Sequence, residues 1–99
     1  MTLTFKEILD KIGEAAALEQ TAEECAELAH ACLKMARKFR AENPTPAAEE
    51  EICERIHEEM ADLLTCMDVL INIPWIDTEK VQKIQIRKAR RWEERILEE

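Results

Sequence analysis

The sequence predicts an all-α fold, a small antiparallel bundle of about four helices that is completed by association with further copies. Three observations lead to this prediction. The 99 residues include a single glycine, and 46% of them are apolar. Alanine, leucine, glutamate, lysine and arginine dominate, which favours helices. Apolar side chains recur at helical spacing between the few prolines. A chain of this length suits one domain, residues 1–99, whose small core favours self-association.

The first two predicted helices precede the first proline. One spans residues 4–12, with Thr4 as its N-cap, and Gly13 separates it from the second, residues 14–41. Two prolines soon after residue 41 end the second helix, because proline lacks an amide donor and restricts the preceding residue. The apolar stripe of the second helix consists of Leu18, Ala22, Cys25, Leu28, Ala29, Cys32, Met35, Ala36 and Phe39.

The third predicted helix spans residues 46–73. Thr45 is its N-cap and Pro46 takes its first position, where the missing amide donor costs nothing. Pro74 ends the helix, and helical angles place the centre of its buried stripe near Met67. That stripe consists of Ile52, Ile56, Met60, Leu63, Leu64, Met67, Leu70 and Ile71.

The fourth predicted helix begins at Asp77 or Thr78, either of which can cap it, and continues to residue 97. The short connections between the helices predict antiparallel neighbours. The apolar face of this last helix is less regular and consists of Val81, Ile84, Ile86 and Trp92.

The charge pattern bounds the partners of the protein. The net charge of −8 combines a C-terminal stretch of +3, with seven basic and four acidic residues from Lys80 onward, and a remainder of −11, with seven and eighteen. This acidity argues against binding a nucleic-acid polymer, whereas the basic stretch suits a small phosphorylated ligand. No apolar run approaches the roughly 20 residues of a membrane span. Four cysteines without a C-x-x-C motif, and no signal-like N-terminus, indicate a reducing cytoplasm without disulfide or zinc.

Two acidic pairs carry the predicted chemistry, Glu24 with Glu27 and Glu59 with Asp62. Each pair is spaced by three residues, so both carboxylates lie on one face of a helix. Helical angles place the first member of each pair at the edge of the core and the second farther out. Four carboxylates that meet between two helices resist joint ionisation, and a hard divalent cation removes this cost. The pairs therefore predict a Mg²⁺ site.

The order of these motifs resembles the MazG-like all-α nucleoside triphosphate pyrophosphohydrolases. The matching stretches are 23–28 (EECAEL), 58–64 (EEMADLL) and the basic tail 88–95 (KARRWEER). The resemblance implies that Glu24, Glu27, Glu59 and Asp62 are catalytic Mg²⁺ ligands, with Mn²⁺ as a substitute. It also implies that Lys88 and Arg91 bind the triphosphate. The thirty-one residues between Glu27 and Glu59 are a longer gap than the family pattern has, and we expect the proline-containing loop together with an extra turn or two of helix to absorb it.

The implied reaction converts a nucleoside triphosphate, NTP or dNTP, to the monophosphate and pyrophosphate, a nucleotide-pool house-cleaning activity. The implied assembly is a homodimer or homotetramer with sites near subunit contacts. Position along the helices adds Lys34 and Asn72 as candidate substrate contacts. Glu23 and Glu58 compete with the four carboxylates as metal ligands or as the group that orients water.

Two alternatives stay open. A di-iron carboxylate bundle uses E-x-x-H on two helices, and the chain contains Glu27-Leu28-Ala29-His30 and Glu54-Arg55-Ile56-His57. Helical angles turn His30 and Glu54 away from the bundle interior, which counts against that centre. The other alternative is a non-catalytic helical oligomerisation module, whose acidic and basic faces bind copies or partners.

Overall fold

The structure, a computed structural model, describes residues 1–41 and 48–99. Within these residues it contains four α-helices and no strand, so the predicted all-α fold is confirmed. None of these helices is long and apolar enough to cross a membrane. The predicted cap Thr45 and the predicted first helical residue Pro46 lie outside the described residues. The helices are α1 (Phe5–Ile12), α2 (Glu14–Arg40), α3 (Glu49–Leu70) and α4 (Thr78–Glu98).

The start of α1 is fixed by a capping box at Thr4, as predicted. The Glu7 amide donates to Thr4 Oγ1 at 3.1 Å, and the Thr4 amide donates to Glu7 Oε1 at 3.3 Å. These two bonds satisfy backbone donors that a helix start leaves free. Gly13 then links α1 to α2 with a φ of +87°, a conformation that glycine adopts without steric cost.

Helices α2 and α3 form an antiparallel hairpin, and α1 packs across its end. Contacts in the hairpin run from Glu27 with Arg55 to Glu24 with Glu59, so one helix descends as the other rises. At its far end α2 stops at Ala41, which has a φ of +56° in the left-handed region. The Ala41 amide there donates to two carbonyls of the last turn of α2.

The main core lies where α1 meets the hairpin. Leu9, Ala17, Val69 and Ile73 are buried together, and Ile73, at 1% exposure, is the most buried residue of the four. Helix α3 ends at Leu70, three residues before the predicted end, because two short i to i+3 bonds follow it. The amides of Asn72 and Ile73 donate to the carbonyls three residues earlier, which turns Ile73 into the core.

Helix α4 stands apart from the other three helices. Asp77 caps it, as expected, by accepting a hydrogen bond from the Lys80 amide at 3.1 Å. Among the described residues, no Cα atom of α4 lies within 8 Å of a Cα atom of another helix. Only Ile84 on α4 is partly buried, whereas Trp92 is 69% exposed. Both faces of α4 are therefore available to a partner.

The structure corrects the predicted stripe of α2. The residues that face α3 form a row consisting of Ala17, Thr21, Glu24, Leu28 and Ala31, all buried or half-buried. Most of the predicted stripe lies one position farther round the helix and is exposed, including Phe39 at 70%. The prediction was wrong here because two neighbouring rows of α2 are apolar, and a two-helix hairpin covers only one of them.

The same correction applies to α3. Its inner row consists of Ile52, Ile56, Glu59, Leu63, Cys66 and Leu70, all buried or half-buried. Met67, the predicted centre of the stripe, is 45% exposed. It belongs to an outer row with Met60, Leu64 and Ile71, each about half exposed. Because the two helices run in opposite directions, their outer rows lie on the same side of the hairpin, and we call this surface the outer apolar face.

The protein is extended for its size. Its radius of gyration is 17.1 Å, whereas a compact chain of this length has about 13 Å. Its accessible surface is 8052 Å², against about 5,800 Å² for a globular monomer of this mass. The excess reflects α4 and the outer apolar face, which no other part of the described chain covers.

Candidate metal centre

Three of the four predicted carboxylates meet between α2 and α3. Glu24 comes from α2, and Glu59 and Asp62 come from consecutive turns of α3. One carboxylate oxygen of each residue lies within 4.8 Å of the other two. The i, i+3 spacing places Glu59 and Asp62 on one face of α3, and the antiparallel pairing brings Glu24 opposite them. We call these three residues the carboxylate triangle.

The triangle is sheltered on one side and open on the other. Glu59 is buried at 6% exposure, Glu24 is half-buried and Asp62 is exposed. The order within each pair is as predicted, because Glu24 and Glu59 are more sheltered than Glu27 and Asp62, but Glu59 lies on the inner row and not at the edge of the core. Gln20 Nε2 donates to Glu24 Oε1 at 2.9 Å, which fixes the orientation of that carboxylate.

Arg55 is the cation of this cluster. Its Nε donates to Glu59 Oε1 at 2.7 Å, and its Nη2 donates to Glu27 Oε2 at 3.3 Å. The hydrogen bond to Glu59 is the main cause of a raised Arg55 pKa, and the charges of both carboxylates contribute. Sequence reasoning missed Arg55. The i, i+4 spacing of Arg55 and Glu59 was a usable signal, whereas the contact with Glu27 depends on the helix register.

Glu27, the fourth predicted carboxylate, lies outside the triangle. It sits one turn after Glu24 on α2, and its side chain is 51% exposed. Its carboxylate instead pairs with Arg55, which joins it to Glu59. The pair spans the two helices, so Glu27 borders the triangle through a shared cation.

The donor set fits a hard divalent cation. Carboxylate oxygens are the ligands that Mg²⁺ prefers, and a Mg²⁺ ion at about 2.1 Å from each ligand holds neighbouring oxygens about 3–4 Å apart. The three oxygens of the triangle, within 4.8 Å of one another, need only small side-chain adjustments to reach such spacing. Glu24, Glu59 and Asp62 are therefore the residues that would hold the ion.

Cys66 lies beside the triangle on the inner row of α3. Its partial burial is the first cause of a raised thiol pKa, followed by the charges of Glu24 and Asp62 and by Cys25. The thiol therefore stays protonated and inert as a nucleophile near neutral pH. It is a neutral neighbour of the carboxylates.

Lys34 lies ten residues after Glu24 on α2, about 15 Å along the helix, and does not touch the triangle. It lines an open groove beside Arg55, together with Glu58 and other acidic side chains of α3. No ion pair joins Lys34 to a described carboxylate. The competing residue Glu58 is exposed in this groove, and Glu23 is exposed on α2.

Asn72 lies far from the triangle. Ten residues, or about 15 Å of helix rise, separate it from Asp62. Its side-chain amide donates to the Asp68 carbonyl at 2.9 Å and so satisfies the end of α3.

Lys88 and Arg91 lie on α4, which contacts none of the other described helices. Both are exposed, and they line a shallow depression with Trp92 and Arg95. Within one chain the fold therefore leaves the predicted triphosphate ligands apart from the carboxylates.

The histidines do not join the carboxylates. His30 and His57 are both exposed, and His57 Nδ1 donates to the Cys53 carbonyl of its own helix at 2.8 Å. Glu54 is exposed as well. Among the described residues, the group of side chains placed to share an ion contains no histidine. The arrangement does not favour a di-iron centre.

Comparisons with protein-family models, curated proteins and solved structures give no match for this chain.

Proposed function

We propose that this protein is a Mg²⁺-dependent nucleoside triphosphate pyrophosphohydrolase that forms a monophosphate and pyrophosphate. One observation carries the proposal. Carboxylate oxygens of Glu24, Glu59 and Asp62 converge to within 4.8 Å, and Glu59 is buried. Arg55 compensates the charge of Glu59, and a divalent ion would compensate the further charge that Glu24 and Asp62 bring to the same place. The resemblance of the motif order to MazG-like enzymes supplies the reaction class.

The reaction is an attack of water on the α-phosphorus of the substrate. The bond to the β-phosphate breaks, and pyrophosphate leaves. A divalent ion in the triangle supplies polarisation of the phosphate oxygens and activation of water. The triangle would hold that ion, and an exposed carboxylate next to it in sequence, Glu58 or Glu23, would accept the proton of the water. Lys88 and Arg91 offset the charge that develops on pyrophosphate.

Assembly with further copies is part of this proposal. Lys88 and Arg91 lie on a helix that is separate from the triangle, so a second copy is the natural source of these cations at the site. The excess accessible surface of roughly 2,200 Å² per chain is of the size that obligate homodimers bury. The basic α4 and the acidic remainder of the chain are complementary in charge. A homodimer or homotetramer satisfies all three features.

The test of the reaction is pyrophosphate release from a panel of normal and modified NTPs and dNTPs, with Mg²⁺ or with EDTA. We expect release with Mg²⁺ and none with EDTA, and chromatography should show one monophosphate per pyrophosphate. Release of single phosphates would assign a different cleavage. No release from folded protein across the panel would contradict the proposal.

The second candidate is a non-catalytic helical oligomerisation module, which the outer apolar face favours. Leu64 in that face is 60% exposed, and Met60 is 48% exposed. An Leu64→Glu variant tests whether copies associate through this face, with Leu97→Glu on α4 as the control. We expect sedimentation velocity to show a smaller species for Leu64→Glu alone. Association without any hydrolysis would favour this candidate over the enzyme.

A further inference from the structure

Arg55 makes the shortest ion pair of the site, and the proposed reaction gives this residue no role. Arg55 binds the buried Glu59 at 2.7 Å and the exposed Glu27 at 3.3 Å. The Arg55 side chain itself remains 58% exposed. It lies at the rim of the open groove that also contains Lys34 and Glu58. A cation with this exposure can leave the site without disturbing the packing of the hairpin.

Arg55 and a divalent ion would compete for the carboxylate of Glu59. It belongs to the carboxylate triangle, and its Oε1 already accepts the short bond from Arg55. A divalent ion needs the negative charge of the same carboxylate. Two cations so close together repel each other, so binding of the ion weakens the Arg55 contact and the Arg55 contact weakens binding of the ion.

Replacement of Arg55 by a divalent ion at Glu59 would also change the contacts of Glu27. Its only described ion-pair partner is Arg55, which holds it one turn away from the triangle. Arg55 contacts Glu59 through Nε and Glu27 through Nη2 of the same planar guanidinium, so we expect a movement of that group away from Glu59 to break the longer contact with Glu27 as well. Glu27 and Glu24 lie on one face of α2 at i, i+3, so a rotamer change directs the freed carboxylate toward the triangle.

We propose that Arg55 is a displaceable counter-ion that competes with the divalent cation for Glu59 and holds Glu27 outside the metal site. Binding of the cation displaces Arg55 and frees Glu27 as a fourth ligand. Arg55 is thus a positioning residue that sets the affinity of the site and couples Glu27 to Glu59. The inference rests on the metal site of the proposed function.

The experiment is a Mn²⁺ titration of the full chain without nucleotide, in which electron paramagnetic resonance counts the free ion. We expect Arg55→Gln to bind Mn²⁺ about tenfold more tightly than the wild type, because a competing charge is gone. Arg55→Lys keeps the charge but loses the two-pronged contact, and its affinity should lie between those two. Circular dichroism shows whether Arg55→Gln folds. If it does not, Arg55→Lys takes its place in the comparison with the wild type.

Lys34→Gln is the matched control, since it removes one positive charge from the same groove without removing a contact to Glu59. It should change the affinity less than twofold. An equal gain in Mn²⁺ affinity in Lys34→Gln and Arg55→Gln would show that only the total charge near the site matters, and it would overturn the inference. Unchanged or weaker binding by the two Arg55 variants would overturn it as well.

Glu27→Gln completes a double-mutant cycle. In the wild-type background we expect little change in Mn²⁺ affinity, because the lost ligand is offset by a weaker hold on Arg55. In the Arg55→Gln background the same substitution should weaken binding about tenfold. Additive effects would show that Glu27 is independent of Arg55 and would overturn its part of the proposal.

The outcome separates this inference from the proposed reaction. Tighter Mn²⁺ binding by Arg55→Gln together with a silent nucleotide panel would support the counter-ion and contradict the hydrolase. Pyrophosphate release together with equal Mn²⁺ affinities of the wild type and Arg55→Gln would support the hydrolase and contradict the counter-ion. No Mn²⁺ binding by any variant would overturn both.

Discussion

The α2–α3 hairpin and α4 are both long and highly charged, yet they use charge in different ways. In the hairpin, Arg55 and Glu59 form a short ion pair across from Glu27, and the carboxylate triangle is partly sheltered. In α4 the one described ion pair, Lys83 with Glu79, is exposed on both sides, and no residue of another described helix contributes to it. Packing makes the difference, because only the hairpin has a second helix against which charges are fixed.

This contrast shows which charges carry information about function. A charge on an isolated exposed helix is screened by water and salt, and its position is loosely defined. A carboxylate in a packed interface is held in place and needs a specific partner. The hairpin therefore fixes the geometry of the carboxylate triangle by itself, whereas no other described helix of the chain fixes the basic side chains of α4.

The largest effect should come from the triangle. Asp62→Asn removes the charge of one proposed metal ligand at an exposed position, so we expect it to lower Mg²⁺-dependent pyrophosphate release by about a thousandfold with little change in helicity. Asp68→Asn, on the same helix but outside the triangle, is the control and should retain activity. A wild-type rate in Asp62→Asn, measured with saturating Mg²⁺, would remove this residue from the metal site.

The next effect compares the packing of the two regions directly. Ile73→Ala should lower the free energy of unfolding by about 2–4 kcal/mol, because it leaves a cavity in the core. Ile86→Ala on α4, where the side chain is 54% exposed, should cost less than about 0.5 kcal/mol. Urea unfolding at low protein concentration measures both values. Similar costs would mean that Ile86 is covered in the folded protein.

A smaller effect is expected from the basic face of α4. The double variant Lys88→Gln, Arg91→Gln should lower kcat/KM about tenfold, because the two cations proposed to bind the triphosphate are lost. Its helicity, measured by circular dichroism, should not change, because both side chains are exposed. Lys83→Gln, on the same helix, is the control for general charge. Equal losses in both proteins would argue against a specific role for Lys88 and Arg91.

The smallest effect concerns Cys66, whose burial and acidic neighbours raise the thiol pKa. At pH 8.5 iodoacetamide should modify it several-fold more slowly than the exposed Cys25, Cys32 and Cys53. Because the folded state retains this proton more tightly than the unfolded state, the contribution of Cys66 to stability declines as pH rises above the ordinary thiol value of 9.0. Mass spectrometry measures the rates, and urea should make them equal.

Sequence reasoning anticipated the helices well, because caps, prolines and glycine mark their ends locally. Thr4, Gly13 and Asp77 occupy the positions expected of them. Helix α3 ends earlier than Pro74 indicated. Two i to i+3 backbone bonds turn the chain so that Ile73 packs in the core, and this packing against other helices is not visible in the local sequence. Helical angles also indicated that Glu24 and Glu59 are more sheltered than Glu27 and Asp62, although they did not place Glu59 on the buried row itself.

The choice of packing row did not follow from the sequence. Each long helix carries two neighbouring apolar rows, and only the register of the hairpin decides which row is inside. The partner of Arg55 on α2 depends on that register too. The sequence also did not predict that α4 lacks contacts with the other helices. A short connection between two helices predicts that they pack as antiparallel neighbours, whether or not their apolar faces fit.

The left-handed Ala41 at the end of α2 has a practical consequence. That conformation costs a non-glycine residue about 1 kcal/mol, and glycine adopts it freely. Ala41 lies about 25 Å of helix rise from Glu24, so a glycine there would add stability without touching the chemistry. An Ala41→Gly background would thus let damaging variants of the triangle be purified in folded form, which separates a lost reaction from a lost fold.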